Sequence, residues 1–321
     1  MARGRRIALF AASAALAAGS LAATGCGGDS SSATSDGGAA SLSGDIAIDG
    51  SSTVGPLTSA AAEAFVGDGN GDVNITVGTS GTGGGFELFC KGETDISDAS
   101  RAIKDEEAAA CTSGGVSYEE LRVASDGITV VTGSNADVGG EALTLAQLKA
   151  IWAPGSTIKN WKDIPSGGFN DVGLTLAGPD SQSGTYDFFN ETVLGKDAKG
   201  EVITPRQDYT ASADDNVTVR AVTGADGGLG YFGFSYYEEN ADSLTDFAID
   251  GVKPSLETIT DGTYPLSRPL FIYVKKASLA KPEVKAFVRY YLENAIILAG
   301  DQQFVPAPQE ALDAALAKVP A

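Results

Sequence analysis

Apolar and polar residues alternate over Asp45-Ile46-Ala47-Ile48 and over Val73-Asn74-Ile75-Thr76-Val77, the two-residue period of half-buried strands. After the first run the period changes. Leu57, Ala60, Ala61, Ala64 and Phe65 recur at i, i+3, i+4, i+7 and i+8, one apolar face of a helix. Pro56 suits the first turn of that helix, where its missing N–H had no partner to lose. The succession continues down the chain. Phe86 to Gly92 reads as a short helix with a Lys-Gly stop, Lys104 to Ala110 as a helix, and Gly127 to Thr132 as a strand. Thr144 and Gln147 form a capping box that opens a helix through Trp152, and Pro154-Gly155 ends it. Leu174 to Ala177 is a strand, and Tyr186 to Leu194 is helical with Tyr186, Phe189 and Val193 on one face. Asn216 to Val222 reads as a helix, and Leu229 to Phe234 and Pro269 to Val274 as strands. One long helix is expected from Pro282 to Leu298, burying Val284, Phe287, Val288, Tyr291, Leu292 and Ala295, and a last one from Gln309 to Lys318. This order predicts an α/β fold with a mostly parallel sheet covered by helices. Beyond the N-terminal region no apolar stretch is long enough to span a membrane, and no solenoid period repeats.

Three of the strand-to-helix junctions share one composition. They are Asp49-Gly50-Ser51-Ser52-Thr53-Val54-Gly55-Pro56, Thr79-Ser80-Gly81-Thr82-Gly83-Gly84-Gly85 and Asp180-Ser181-Gln182-Ser183-Gly184-Thr185. A helix start carries free backbone N–H groups and a partial positive charge, so it attracts anions. Glycine lets a ligand approach the backbone, and small hydroxyls donate hydrogen bonds. The plain reading of each junction is an ordinary Ser/Thr helix cap. Three in one chain, each after a strand-like run, point to a shared oxyanion site.

Composition narrows the partners. The chain has 321 residues, room for two domains, and a net charge of −20 with no charged tail to carry it. That balance argues against nucleic acid and anionic membrane surfaces. It also opposes long-range steering of an anion, so affinity has to come from local hydrogen bonds. The absence of histidine excludes a Ser-His-Asp triad, a Cys-His pair and His-ligated metals. No G-x-S-x-G elbow and no G-x-x-x-x-G-K-[ST] loop occur. No cofactor or metal is expected. A secreted phosphatase built on Asp alone is the enzyme alternative.

The N-terminus reads as an export signal, with Arg3, Arg5 and Arg6 before the apolar run Ile7 to Ala23. Leu21-Ala22-Ala23-Thr24-Gly25-Cys26 resembles a bacterial lipobox, which makes residues 1–25 a signal peptide and Cys26 a lipidated first residue. The alternative is plain secretion with cleavage at another small residue. Residues 26–43, rich in Gly, Ser, Ala and Asp, suit a flexible tether. Cys90 and Cys111 then remain, and two cysteines in an exported chain point to a disulfide, worth about 3 kcal/mol for a loop of this size. Two buried free thiols are the alternative.

Gly50-Ser51-Ser52-Thr53, Gly81-Thr82-Gly83-Gly84-Gly85, Asp95 through Arg101, Leu145 through Asp163, Ser183-Gly184-Thr185 and Gly228-Leu229-Gly230-Tyr231 follow the order of a known family. Over nearly all of residues 44–310 the chain resembles the phosphate-binding lipoproteins of bacterial phosphate-specific ABC transporters. The resemblance implies the two-lobed α/β fold of type II periplasmic binding proteins. Residues 44–125 and 263–321 would form lobe one and 126–262 lobe two, with crossings near Asp126 and Thr263. It implies phosphate ligands Ser51, Ser52, Thr53, Val54, Thr82, Gly83, Asp98, Ser100 and Arg101 from lobe one, and Ser183, Gly184 and Thr185 from lobe two. The lobes would close on phosphate like a hinge. The implied partners are inorganic phosphate and a membrane-embedded ABC permease, met by a lipid-anchored monomer outside the cytoplasmic membrane.

The sequence departs from the family pattern at two places. Pro179 stands where many members carry an arginine, and Arg101 is the expected substitute; its alternative role is a surface salt bridge with Asp105. Ser100 stands where some members have an aspartate that accepts a phosphate proton, and Asp98, then Asp180, are the candidates to replace it. A carboxylate in the site would favour phosphate over sulfate, which has no proton to give. A binding protein for sulfate or molybdate is the other reading these swaps leave open.

Overall fold

The computed structural model describes residues 42–320. The expected signal peptide, Cys26 and all but the end of the tether lie outside the described residues. The chain opens with β1 (Gly44–Gly50), α1 (Gly55–Gly67), β2 (Val73–Val77), α2 (Gly81–Cys90), β3 (Ile96–Ala99) and α3 (Asp105–Ser113). A long strand, β4 (Tyr118–Gly133), leads to β5 (Ala142–Leu143), α4 (Leu145–Trp152), β6 (Thr175–Gly178), α5 (Gly184–Phe189), β7 (Thr210–Ala211), α6 (Asp215–Thr223) and β8 (Gly228–Gly233). Then come α7 (Phe234–Asn240), β9 (Leu244–Asp246), β10 (Ala248–Ile249), α8 (Leu256–Thr260) and β11 (Ser267–Lys275). The chain closes with α9 (Pro282–Glu293), α10 (Ala295–Asp301), β12 (Val305–Pro306) and α11 (Gln309–Lys318).

The strands pair in the order β2-β1-β3-β11-β4-β8-β6-β7, with β9 and β12 also joined to β4. At one end β1 lies parallel to β2 and β3; at the other β6 lies parallel to β7 and β8. The middle is antiparallel, because β4 and β11 run in opposite directions between the two ends. The parallel sheet expected from the sequence therefore forms as two parallel groups joined through antiparallel strands. The first part of β4 pairs with β11 from Tyr118↔Lys275 to Gly127↔Ser267. Its last residues pair with β8 from Ile128↔Gly233 and with β9. The sequence pattern marked only the second part of this strand.

Each end has its own core. Ile46, Ile48, Leu57, Phe65, Phe287 and Tyr291 belong to one, where α1 packs on β2 and α9, and α9 on β1. Trp152, Trp161, Phe189, Tyr231 and Phe247 belong to the other, with Phe189 stacked on Tyr231 at 3.8 Å. Burying one such side chain contributes about 1.5–3 kcal/mol. In α9 the residues Val284, Phe287, Val288, Tyr291 and Leu292 are buried, as their spacing predicts. The helix does not run on to Leu298. Asn294 leaves helical geometry at φ −105°, ψ 4°, and its side chain donates to the Tyr290 carbonyl at 2.8 Å, so α10 starts afresh. Such local side-chain bonding competes with helix propagation. The Tyr186–Leu194 helix is likewise split, into α5 and a π-helical turn over Asn190–Leu194. The capping box at Thr144 and Gln147 is formed in both directions. Cys90 and Cys111 are joined in a disulfide that ties α2 to α3. Among the described residues no helix is long and apolar enough to cross a membrane.

Candidate functional site

A cavity of about 690 Å³ opens between the first two Ser/Thr-rich junctions and the segment that follows the third. The first junction is shaped by Gly50. Its φ is +152°, and a Cβ there would lie 2.1 Å from the Asp98 carbonyl oxygen, so only glycine lets β1 end against β3. Ser51 N–H donates to that carbonyl at 2.9 Å. The buried Ser51 hydroxyl accepts from the N–H of Thr53 at 3.2 Å and of Val54 at 3.4 Å. Ser51 thus staples the loop, and Ser52 is left exposed in the cavity. Val54 is fully buried and contributes a turn to the start of α1 rather than a cavity wall.

The second junction is pinned by Asp49, which accepts from the N–H of Ser80 at 3.0 Å and from its hydroxyl. That sets the start of α2, where Gly81, Thr82 and Gly83 line the cavity. First-turn N–H groups of a helix have no intrahelical acceptor, and this end carries the positive pole. The Thr82 and Ser100 hydroxyls bond each other at 3.1 Å, and Ser100 N–H donates to Thr82 at 3.2 Å. Arg101 lines the cavity but is held by a bidentate pair to Glu107, at 2.7 and 2.8 Å. The partner is Glu107 rather than Asp105, and Glu107 is fixed in turn by the N–H of Lys104 at 2.9 Å. Burial alone would raise the Glu107 pKa; the bonds from Arg101 and Lys104 more than offset that and lower it.

The third junction does not line the cavity, but it borders it. A Cβ on Gly184 would lie 3.4 Å from the Thr53 hydroxyl oxygen, so the loop before α5 rests against the loop before α1. The Ser183 hydroxyl caps α5 by accepting from Thr185 N–H at 3.2 Å. Asp180 spends both carboxylate oxygens on backbone N–H groups, of Gln182 at 3.0 Å and Ala213 at 3.1 Å. The Pro179 carbonyl accepts from the Tyr209 hydroxyl at 2.9 Å.

Asp98 lies beneath the site, not in it. It is completely buried, and among the described residues only the Thr58 hydroxyl comes near its carboxyl group, without closing a well-formed hydrogen bond. Burial pushes its pKa up to about 8, against the pull of the Thr58 hydroxyl and with a further push from the Asp49 charge. The reason is visible in β3, where Ile96, Ser97, Asp98 and Ala99 are all buried: both faces of this strand are covered, so alternation does not reveal which face meets the ligand.

Four residues of the cavity wall carry most of the remaining chemistry and were not singled out in the sequence. Arg268 sits on β11 opposite Asp126 on β4, and its Nε and Nη2 donate to Asp126 at 3.1 and 3.0 Å. Nη2 also donates to the Thr53 hydroxyl at 2.8 Å, and the Phe188 ring lies 3.9 Å from the guanidinium carbon. Burial raises the Asp126 pKa, with Arg268 opposing. Asp187 and Glu191 face the cavity from α5 and the turn after it. Partial burial raises the Asp187 pKa, the Arg268 charge opposes this, and Glu191 adds to it. Two signals were present: Asp187 follows Thr185 by two residues, and Arg268 stands at the head of the returning strand.

Counting the wall, four cations (Arg101, Lys104, Lys196, Arg268) meet three carboxylates (Glu107, Asp187, Glu191). The cavity is close to balanced in charge and rich in oriented N–H and O–H donors. Such a site binds an oxyanion through geometry more than through bulk field.

The chain matches the PBP superfamily domain model over residues 31–295. It is 45% identical to the protein SphX of Synechococcus elongatus over 278 residues, 84% of this chain and 80% of that protein. It is 40% identical to the phosphate-binding protein PstS of Staphylococcus saprophyticus over 274 residues, 83% of this chain and 82% of the relative. A crystal structure of a possible phosphate-binding protein from Planctomyces limnophilus superposes with a TM-score of 0.81 at 41% identity, covering 88% of this chain and 100% of that one. The fold is accordingly the type II α/β arrangement that the sequence resemblance implied. With the strand order, the donor-lined cavity and these relatives in agreement, the chain belongs to the PBP superfamily and, within it, to the family of PstS phosphate-binding proteins.

Proposed function

We propose that this chain captures inorganic phosphate in the cavity and delivers it to an ABC permease outside the cytoplasmic membrane. The observation that carries the reading is the convergence of the Ser52–Thr53 and Thr82–Gly83 helix starts, with Ser100, on a cavity that also holds Arg101 and Arg268. Each charge-assisted bond from such donors is worth about 1.5–3 kcal/mol net. Ser183, Gly184 and Thr185, held at the border of the cavity against Thr53, complete the ligand set. Residues 44–125 with 263–321, and residues 126–262, act as the two lobes, with the crossing strands between them as the hinge. The chain works as a binding protein and not as an enzyme. It contains no histidine, and its PstS relatives are named as phosphate-binding proteins.

The carboxylate that reads the phosphate proton is Asp187. Asp98 is sealed in the core and Asp180 is committed to backbone N–H groups, whereas Asp187 faces the cavity beside Arg268. Phosphate near neutral pH can donate an O–H to this group; sulfate can only repel it.

Titration calorimetry with phosphate, arsenate, sulfate and molybdate tests the reading. Tight binding of phosphate and arsenate with little sulfate or molybdate is expected; a preference for sulfate or molybdate would overturn it. Release of a chromophore from a phosphate ester would move the chain to the enzyme class. The lipid anchor at Cys26 and the monomeric state are part of the same proposal. Mass spectrometry of membrane-extracted protein is expected to give a diacylated Cys26 at the N-terminus.

A further inference from the structure

We infer that Arg268 couples anion binding to closure, acting as the positioning residue through which a bound anion holds the lobes together. This rests on the phosphate reading above and adds a mechanism to it. Arg268 and Asp126 are register partners on β11 and β4, the two strands that run between the halves of the sheet. The guanidinium is largely buried, with 12% of its side chain exposed. Two of its nitrogens are committed: Nε and Nη2 to Asp126, and Nη2 also to the Thr53 hydroxyl at 2.8 Å. One face of the plane is covered by the Phe188 ring at 3.9 Å. Thr53 belongs to the loop before α1 and Phe188 to α5, so one planar group touches both halves and the strands that join them. Nη1 bonds no described residue, and Arg268 lines the cavity, which leaves Nη1 as the donor offered to an anion.

The coupling follows from planarity. An anion on Nη1 fixes the guanidinium plane that Asp126 and Thr53 already orient. Phe188 can cover that plane only when α5 is drawn against the loop before α1, as the approach of Gly184 to Thr53 requires. The anion therefore favours the closed arrangement over any in which Phe188 has withdrawn, and a ligand shifts a conformational equilibrium only through such a difference. Lysine in place of Arg268 would keep a positive charge but offers no plane and no fork to satisfy these contacts together.

Hydrogen–deuterium exchange of the mature chain, with and without saturating phosphate, tests this beside calorimetry. In the wild type, phosphate is expected to protect the amides of Ser52–Val54, of Thr82–Gly83 and of Thr185–Leu194. Phe188→Leu should bind phosphate about tenfold more weakly, in the range of a cation–π contact. At saturation it should still protect the first two segments and leave Thr185–Leu194 exchanging as in the free protein. Arg268→Lys, which leaves the Phe188 core untouched, should likewise uncouple Thr185–Leu194. Phosphate protection of Thr185–Leu194 that survives in both variants overturns the inference while the functional reading stands. A wild-type chain that takes up no phosphate removes the functional reading and this inference with it.

Discussion

Asp187 is a carboxylate with no hydrogen-bond partner among the described residues, set in a wall of donors, and that placement is repulsive to an anion unless the ligand brings a proton. Asp187→Asn should therefore narrow the ratio of phosphate to sulfate affinity by about tenfold or more, roughly 1.4 kcal/mol. Competition calorimetry reads it, and an unchanged ratio would hand selectivity to the donor geometry alone. Asp98 predicts something different. Its folded pKa of about 8 stands above the value of about 3.9 expected in an unfolded chain. The native state keeps the proton while the unfolded state releases it. Stability from this group is whole below pH ~4 and drains away as pH rises toward 8. Asp98→Asn carries no such penalty, so its stability relative to wild type should climb across this window by up to about 1.4 kcal/mol per pH unit. Urea unfolding at several pH values measures the slope, and a flat difference would mean that Asp98 is not held neutral. The loop residues Ser52, Thr53 and Thr82 were legible in the sequence because their glycine neighbours and following helix periods announce a junction, whereas Ser100 has no such neighbour and entered only through the family resemblance of Asp95 through Arg101. Arg268 was not, since its meaning comes from Asp126 and Thr53, partners 142 and 215 residues away in the chain.

At the level of elements, the disulfide bears on the cavity for a mechanical reason. It joins the end of α2, whose start holds Thr82, to α3, whose Glu107 grips Arg101. The Glu107 carbonyl also lies 3.4 Å from the Cys90 sulfur. Replacing both cysteines by alanine should cost about 3 kcal/mol of stability in the chain-entropy account. Phosphate affinity should fall as well, because α2 and α3 lose their shared anchor. Calorimetry and thermal unfolding on the same variant separate the two effects; unaltered affinity would make the bond purely structural. Helix positions were largely legible, because α1, α4, α9 and α11 each have a clean apolar period and a start signal. Their interruptions were harder to see. The break at Asn294 depends on a side-chain bond to Tyr290, and the full length of β4 depends on a partner strand from the far end of the chain.

The molecule as a whole carries a charge of −20 while its cavity wall is nearly balanced. Phosphate must approach through a repulsive field and is then held by short local bonds. Raising ionic strength screens the field and leaves short buried contacts almost untouched. The association rate should rise with salt while the dissociation rate stays nearly constant. Stopped-flow measurements across a salt series test this, and an association rate that falls with salt would mean that the cavity's own cations dominate the approach. The antiparallel pairing of β4 with β11 has one more consequence, and it concerns time. Arg268 can meet Asp126 only after the intervening chain has been made, and the core that holds Ile128, Trp152 and Tyr231 also waits for Val305, near the end of the chain. The first-made segments, with β1, β3 and the Ser52 loop, wait for β11 to enter beside β3 and for α9 to cover β1. The contacts of Arg268 with Asp126 and Thr53 therefore become available to a nascent chain only once β11 has been made, so this side of the anion cradle is completed late in synthesis.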